Sequence, residues 1–197
     1  MHVLFRTLLA AVLLAGTAVA AQAQNLIQNG SFETPVVAPG TYQEFPVGAA
    51  AIPKWEITGE VGSVAVISTT LSGNGFTFQA KSGQQSLDLT GGSNGQTGVQ
   101  QTVATTPGAA YELTFHVGNV YDLGGAFGSS STVNVYVNGI LLTSVRNAAG
   151  KNSNNQVWKK VSVAFQANAD TSTIAFINAD PSSDSHNGLD LVSLVAQ

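Results

Sequence analysis

From residue 24 onward, apolar positions recur at every second residue over short stretches, and clusters of Gly, Asn and Ser stand between them. Period-two alternation bounded by turn residues predicts half-buried β-strands, and helical periodicity is nearly absent. The pattern is sharpest at 132–145, where Val133, Val135 and Val137 alternate with Asn134 and Tyr136. Asn138-Gly139 then supplies a two-residue type I′ turn, and Ile140-Leu141-Leu142 begins the return strand. Further strands are predicted at 63–68, 86–90, 97–104, 110–117, 159–166, 173–178 and 189–195. Within the fourth of these, Tyr111, Leu113, Phe115 and Val117 share one face and Glu112, Thr114 and His116 the other. In 159–166, Val161, Val163 and Phe165 face inward and Lys160, Ser162 and Gln166 outward. The Gly- and Asn-rich stretches 91–98, 124–131 and 148–155 read as loops. Short antiparallel strands separated by turns predict an all-β sandwich.

The first 23 residues break this pattern. Arg6 gives a positive start, an apolar run follows at 8–15, and Ala21 and Ala23 precede Gln24, which is the layout of a cleaved signal peptide. A second cleavage position lies after Ala20. The run is shorter than the roughly 20 apolar residues a membrane span needs, and Gly16, Thr17 and Gln22 interrupt its continuation. The expectation is a signal peptide at 1–23 and one β-sandwich domain at 24–197, exported to the periplasm or the medium, with no membrane span in the mature protein.

Composition narrows the function. Of 197 residues 9% are charged and 44% hydrophobic, which excludes a coiled coil and an acidic disordered tail. The seven Lys and Arg residues form no basic stripe, so nucleic acid and anionic lipid are excluded as partners. The absence of Cys removes thiol catalysis and Cys-ligated zinc, and a chain of this length has core enough to do without disulfides. What remains is a mildly acidic surface rich in Asn, Gln, Ser and Thr, suited to hydroxyl-bearing ligands.

Four motifs stand in order along the chain: Asn25-Leu26-Ile27-Gln28-Asn29-Gly30-Ser31-Phe32-Glu33, Ile52-Pro53-Lys54-Trp55-Glu56-Ile57, Gly83-Gln84-Gln85-Ser86-Leu87-Asp88-Leu89, and Gly188-Leu189-Asp190-Leu191-Val192-Ser193-Leu194. Together they resemble the galactose-binding-like jelly rolls, and more narrowly the domain-of-unknown-function family 642 with its bacterial relatives of the choice-of-anchor C type. The resemblance spans 26–194. It implies an antiparallel jelly-roll β-sandwich like that of carbohydrate-binding modules. Unlike plant members with two modules and cysteines, this chain has one module and no Cys, and no sorting tail follows Leu194, which favours release over surface anchoring.

The resemblance also implies a structural Ca²⁺ where the first and last motifs meet, with Glu33 and Asp190 as side-chain ligands. Carbonyls near Ser31 and within 81–85 would complete the six to eight oxygens that Ca²⁺ takes. Leu191 stands where related modules often carry a second Asp. A second cluster, Asp180, Asp184, His186 and Asp190, has metal-binding residue types, but its Ser-rich, Pro181-initiated setting reads as a solvated connection. Glu44, Glu56, Glu60, Glu112, Asp88 and Asp122 sit in no catalytic motif, and no Gly-x-Ser-x-Gly elbow accompanies His116 or His186, so the chain reads as non-enzymatic. Glycan recognition needs aromatic faces and polar groups that pair with hydroxyls. The candidates are Tyr121 and Phe127, Tyr42 and Phe45 in loops, with Asn134, Tyr136 and His116 on non-core strand faces. Trp55 and Trp158 are expected to be covered. The resulting expectation is a monomeric, non-catalytic module for neutral polysaccharide or glycan. The alternative is a structural or adhesive extracellular protein that binds other proteins.

Overall fold

A computed structural model describes residues 24–197; the expected signal peptide, 1–23, lies outside the described residues. Thirteen strands follow one another without an α-helix among the described residues. They are β1 (Tyr42–Pro46), β2 (Glu56–Gly59), β3 (Ser63–Ser68), β4 (Ser72–Gly73), β5 (Phe76–Thr77), β6 (Gln85–Asp88), β7 (Thr97–Ala104), β8 (Ala110–Asn119), β9 (Ser131–Val137), β10 (Ile140–Asn147), β11 (Val157–Gln166), β12 (Thr171–Asn178) and β13 (Gly188–Ala196). One sheet has the order β1-β3-β6-β13-β8-β11, the other β10-β9-β12-β7-β2, and β4 pairs only with β5. All strand pairs in the sheets are antiparallel, and the fold is a jelly-roll sandwich.

The period-two pattern sorts side chains as expected. Val64, Val66, Leu87, Leu113, Phe115, Val117, Leu189 and Leu194 from one sheet meet Ile57, Val99, Val133, Val135, Ile174 and Phe176 from the other in a single buried cluster. Asn138 and Gly139 both take positive φ, 51° and 77°, as the type I′ turn between β9 and β10 requires. Four elements escape the pattern. β1 carries one buried residue, Phe45, and ends in Pro46; β2 is four residues long; β4 and β5 are two residues each. Edge strands and two-residue ladders have too few inward positions to generate a readable alternation.

The motifs close the sandwich at its N-terminus. Leu26 N donates to the Leu194 carbonyl (2.8 Å), and Leu194 N donates to Asn25 Oδ1 (2.9 Å), so the first residues lie along β13. Asn29 Nδ2 donates to the carbonyls of Thr34 (2.7 Å) and Pro53 (3.1 Å), which ties the first motif to the second. Trp55 Nε1 donates to the Asn29 carbonyl at 2.9 Å, and the Trp55 ring packs on Phe32, centroids 5.4 Å apart. Gly30 passes so close to β13 that a Cβ there would stand 2.1 Å from the Val192 carbonyl oxygen. The order of motifs in the sequence is therefore a set of mutual contacts in space. No helix among the described residues is long and apolar enough to cross a membrane.

Candidate functional site

The outer face of the six-stranded sheet, which an exposed sandwich would turn to water, is partly roofed. All six residues of β3 are buried: Val64 and Val66 lie in the main core, whereas Ala65 and Ile67 point outward into a second cluster with Phe78 and Val120. Strand register then builds two rows across three strands. Tyr42 pairs with Ile67 and Ile67 with Ser86; Glu44 pairs with Ala65 and Ala65 with Asp88. The β4–β5 hairpin and the segment around Phe127 rise over these rows and enclose a cavity of about 470 Å³. That is within the range of small-ligand sites, roughly 300–1,000 Å³.

One wall is aromatic. Phe127 meets Phe78 edge-on at 5.2 Å and Phe76 at 5.9 Å, and Phe78 meets the His186 ring at 4.8 Å. The Phe127 loop is held by Asp122 N donating to the Gly128 carbonyl (2.6 Å) and by Ser185 N donating to the Ala126 carbonyl (2.8 Å). The hairpin is pinned from the other side, where Thr77 N donates to the Asn154 carbonyl and Gln156 N to the Thr77 carbonyl.

The floor is polar. Asp88, 5% exposed, accepts at Oδ1 from Thr90 N (3.0 Å), Thr90 Oγ1 (2.8 Å) and Asn187 N (2.9 Å). Its Oδ2 faces His186 Nδ1 at 3.6 Å. His186 is 1% exposed, and its Nε2 bonds to Gln156 Oε1. Glu44 Oε2 accepts from Ser63 Oγ (2.9 Å) at the mouth, and Gly92 leaves room for that carboxylate, since a Cβ there would stand 2.7 Å from it.

Of the residues named from sequence, Tyr42 and Phe127 line this cavity. Phe45 does not: its alternation partner is Val64, and at 5% exposure it belongs to the core, so the ligand-contact reading of Phe45 is corrected. Asn134 and Tyr136 lie on β9 in the other sheet, where Tyr136 borders a shallow depression with Gln100 and Thr173. His116 sits on β8, paired in register with Lys160 and Asp190, and its buried Nδ1 has no hydrogen-bond partner among the described residues. Burial, then the charges of Lys81 and Lys160, hold the His116 imidazole below its usual pKa. Tyr121 is half-buried and does not line the cavity. Trp55 is buried, and Trp158 is half-buried with Nε1 donating to the Gln79 carbonyl (2.8 Å).

Sequence reasoning weighed Asp88 and His186 and set them aside, and it did not single out Phe78 or Gln156. The alternation of Gln85-Ser86-Leu87-Asp88 does place Asp88 opposite Leu87, but nothing in it shows that a hairpin covers that face. The presumed solvated cluster is split: His186 joins the cavity, Asp180 accepts from Thr132 N (2.6 Å), and Asp190 lies elsewhere. Burial, reinforced by the charges of Asp184 and Asp88, pushes the Asp180 carboxyl up to about 7 against the Thr132 hydrogen bond.

Glu33 and Asp190 do converge on one loop. Asp190 Oδ2 accepts from Lys81 N (2.8 Å) and Ser82 N (3.0 Å), and Oδ1 from Leu191 N (2.6 Å). Glu33 Oε1 accepts from Gln84 N (3.0 Å) and Gln85 N (3.1 Å), and a Cβ on Gly83 would stand 2.2 Å from that oxygen. Burial pushes the Asp190 carboxyl up to about 7, and the neighbouring Glu33 charge adds to the rise. The two carboxylates are oxygen donors of the kind Ca²⁺ takes, and the N–H groups of Lys81, Ser82, Gln84, Gln85 and Leu191 already occupy them and partly compensate their charge. No group of three or more His, Cys, Asp or Glu residues placed to hold a metal occurs among the described residues.

The sequence matches the family model described as "Protein of unknown function (DUF642)" over residues 25–193. None of the curated proteins matches. Among solved structures, the Stig cyclase Fisc from Fischerella sp. TAU, in complex with (3Z)-3-(1-methyl-2-pyrrolidinylidene)-3H-indole, is similar with a TM-score of 0.64 and 20% identity, over 89% of this chain and 98% of that one. TmCBM61, in complex with beta-1,4-galactotriose, is similar with a TM-score of 0.52 and 16% identity, over 89% and 100%. Both likenesses establish the fold.

Proposed function

The chain belongs to the DUF642 family, and from that premise and the geometry above we propose that it is an exported, monomeric, non-catalytic module that binds a saccharide in the roofed cavity. The observation that carries this reading is the pairing of an aromatic wall with a floor of polar acceptors on one face of a jelly roll. Phenyl and phenol rings accept the C–H faces of a sugar, and the acceptors take its hydroxyl protons. Tyr42, Phe78 and Phe127 supply the rings, and Asp88 and Glu44 the acceptors.

A screen of the purified domain against soluble and insoluble polysaccharides tests the proposal. A selective hit, weakened at least tenfold by Tyr42→Ala, is expected; Tyr42 is 56% exposed, so that variant keeps the wild-type melt. Silence across the panel from a folded protein would contradict the reading and favour a structural or adhesive role. One observation favours a second reading, proton transfer on an apolar ligand: the Asp88–His186 pair lies buried beneath Phe78. Recovery of the bound ligand unchanged after long incubation is the expected result, and its conversion would establish the second reading.

We further propose that Glu33 and Asp190 hold a structural Ca²⁺. The ion would neutralise a repelling pair at the junction of the first motif with β13, and would have no part in ligand contact.

A further inference from the structure

The cavity is lined by two carboxylates, Glu44 and Asp88. Glu44, Ala65 and Asp88 form one cross-strand row, so a carboxylate stands on either side of a methyl group. Asp88 Oδ1 is saturated by three donors, whereas Oδ2 of this nearly fully buried side chain receives no hydrogen bond and stands 3.6 Å from His186 Nδ1, both residues lining the cavity.

Gln156 orients the imidazole. Its Nε2 donates to the Gln79 carbonyl at 3.1 Å, which leaves Oε1 as the atom that meets His186 Nε2. An amide oxygen only accepts, so His186 Nε2 carries the hydrogen, and Nδ1 is the ring nitrogen that faces Asp88 Oδ2. Glu44 has one oxygen engaged by Ser63 Oγ and the other free of side-chain partners. Neither Lys nor Arg is among the residues that line the cavity. Above this floor stand the rings of Tyr42, Phe78 and Phe127.

Negative charge, convergent lone pairs and aromatic faces form the environment that recognises an ammonium group, which brings three N–H donors and a positive charge that π-faces attract. We infer that the cavity selects a cationic amine, and, on the saccharide reading above, a protonated amino sugar in preference to its neutral or N-acetylated counterpart. N-acetylation removes the charge and two of the three donors while enlarging the group. Anionic sugars are rejected by Glu44 and Asp88.

Calorimetric titration with trimers of glucosamine and galactosamine, their N-acetylated forms and the parent neutral sugars tests this, at a pH where the amine is protonated. An amino trimer is expected to bind at least tenfold more tightly than its acetylated and neutral counterparts, with the preference shrinking as salt screens the charges. Glu44→Gln and Asp88→Asn should each cut amine affinity severalfold more than neutral-sugar affinity. Glu44 lies at the exposed mouth, so its variant reports even if Asp88→Asn does not fold. Equal or tighter binding of a neutral or acetylated trimer overturns the inference and leaves the saccharide reading standing. Failure of all the trimers to bind overturns both.

Discussion

Asp180 carries a carboxylate that the fold does not need ionised. Its Oδ1 accepts from Thr132 N, but its buried Oδ2 has no partner among the described residues. A carboxyl that ionises at about 3.8 when unfolded and about 7 when folded keeps its proton longer in the native state. Its contribution to stability is full below the lower value and is lost as pH rises through the upper one. Asp180→Asn should therefore raise the melting temperature above pH 7 by a few degrees and flatten its decline between about pH 4 and pH 7, as read from thermal melts across pH. Phe127 behaves differently from Tyr42, because it packs against Phe76, Phe78 and His186. Phe127→Ala is expected to abolish detectable ligand binding and also to lower stability by about 1–3 kcal/mol, below the cost of a full core truncation because the ring is only half-buried. At this scale, alternation makes the face of Asp88 legible, since one residue separates inward from outward, whereas Phe45 lies in a strand with a single buried position and was misread. It leaves illegible that His186, 98 positions beyond Asp88 in sequence, returns to stand beside it.

Among the elements, the β4–β5 hairpin converts a sheet face into a cavity. It adds two-residue strands and joins the sandwich through Thr77 and the 154–156 segment, not through either sheet. Replacing 72–77 with a short Gly-Ser link should leave the sheets folded, with a melt lowered by a few degrees, and should remove ligand binding; circular dichroism and titration report the two effects separately. Loss of the whole fold would instead make the hairpin part of the core. The first motif is the opposite case, since its glycine is forced by the close approach to β13. Gly30→Ala is expected to destabilise by roughly 1–3 kcal/mol in denaturant unfolding, because its Cβ meets a backbone carbonyl that cannot swing away. Strands with four or more alternating positions, β7, β8 and β9 among them, were readable because burial on one face dictates their composition. β1, β2, β4 and β5 were not, for want of inward positions.

For the molecule as a whole, the two sheets enclose one continuous core, and the proposed ligand cavity lies outside it, on one face. The separation explains why motif order disclosed the fold more fully than the site: the motifs are contacts of the core and its N-terminal closure, whereas the cavity is assembled by loops that cross the outer face. It also sets what removal of the proposed calcium should do. The core holds without the Glu33–Asp190 junction, so chelation should lower the melting temperature without abolishing the transition, and identical melts with and without chelator would dismiss the ion. The central claim is that ligand binds on the roofed face of the six-stranded sheet. The measurement that tests it most directly is chemical-shift mapping of backbone amides during titration with a saccharide that binds in the screen. Perturbations concentrated at Glu44, Ala65, Asp88, Phe127 and His186 are predicted, and perturbations centred instead on Asn134, Tyr136 and Gln100 of the opposite sheet would contradict it.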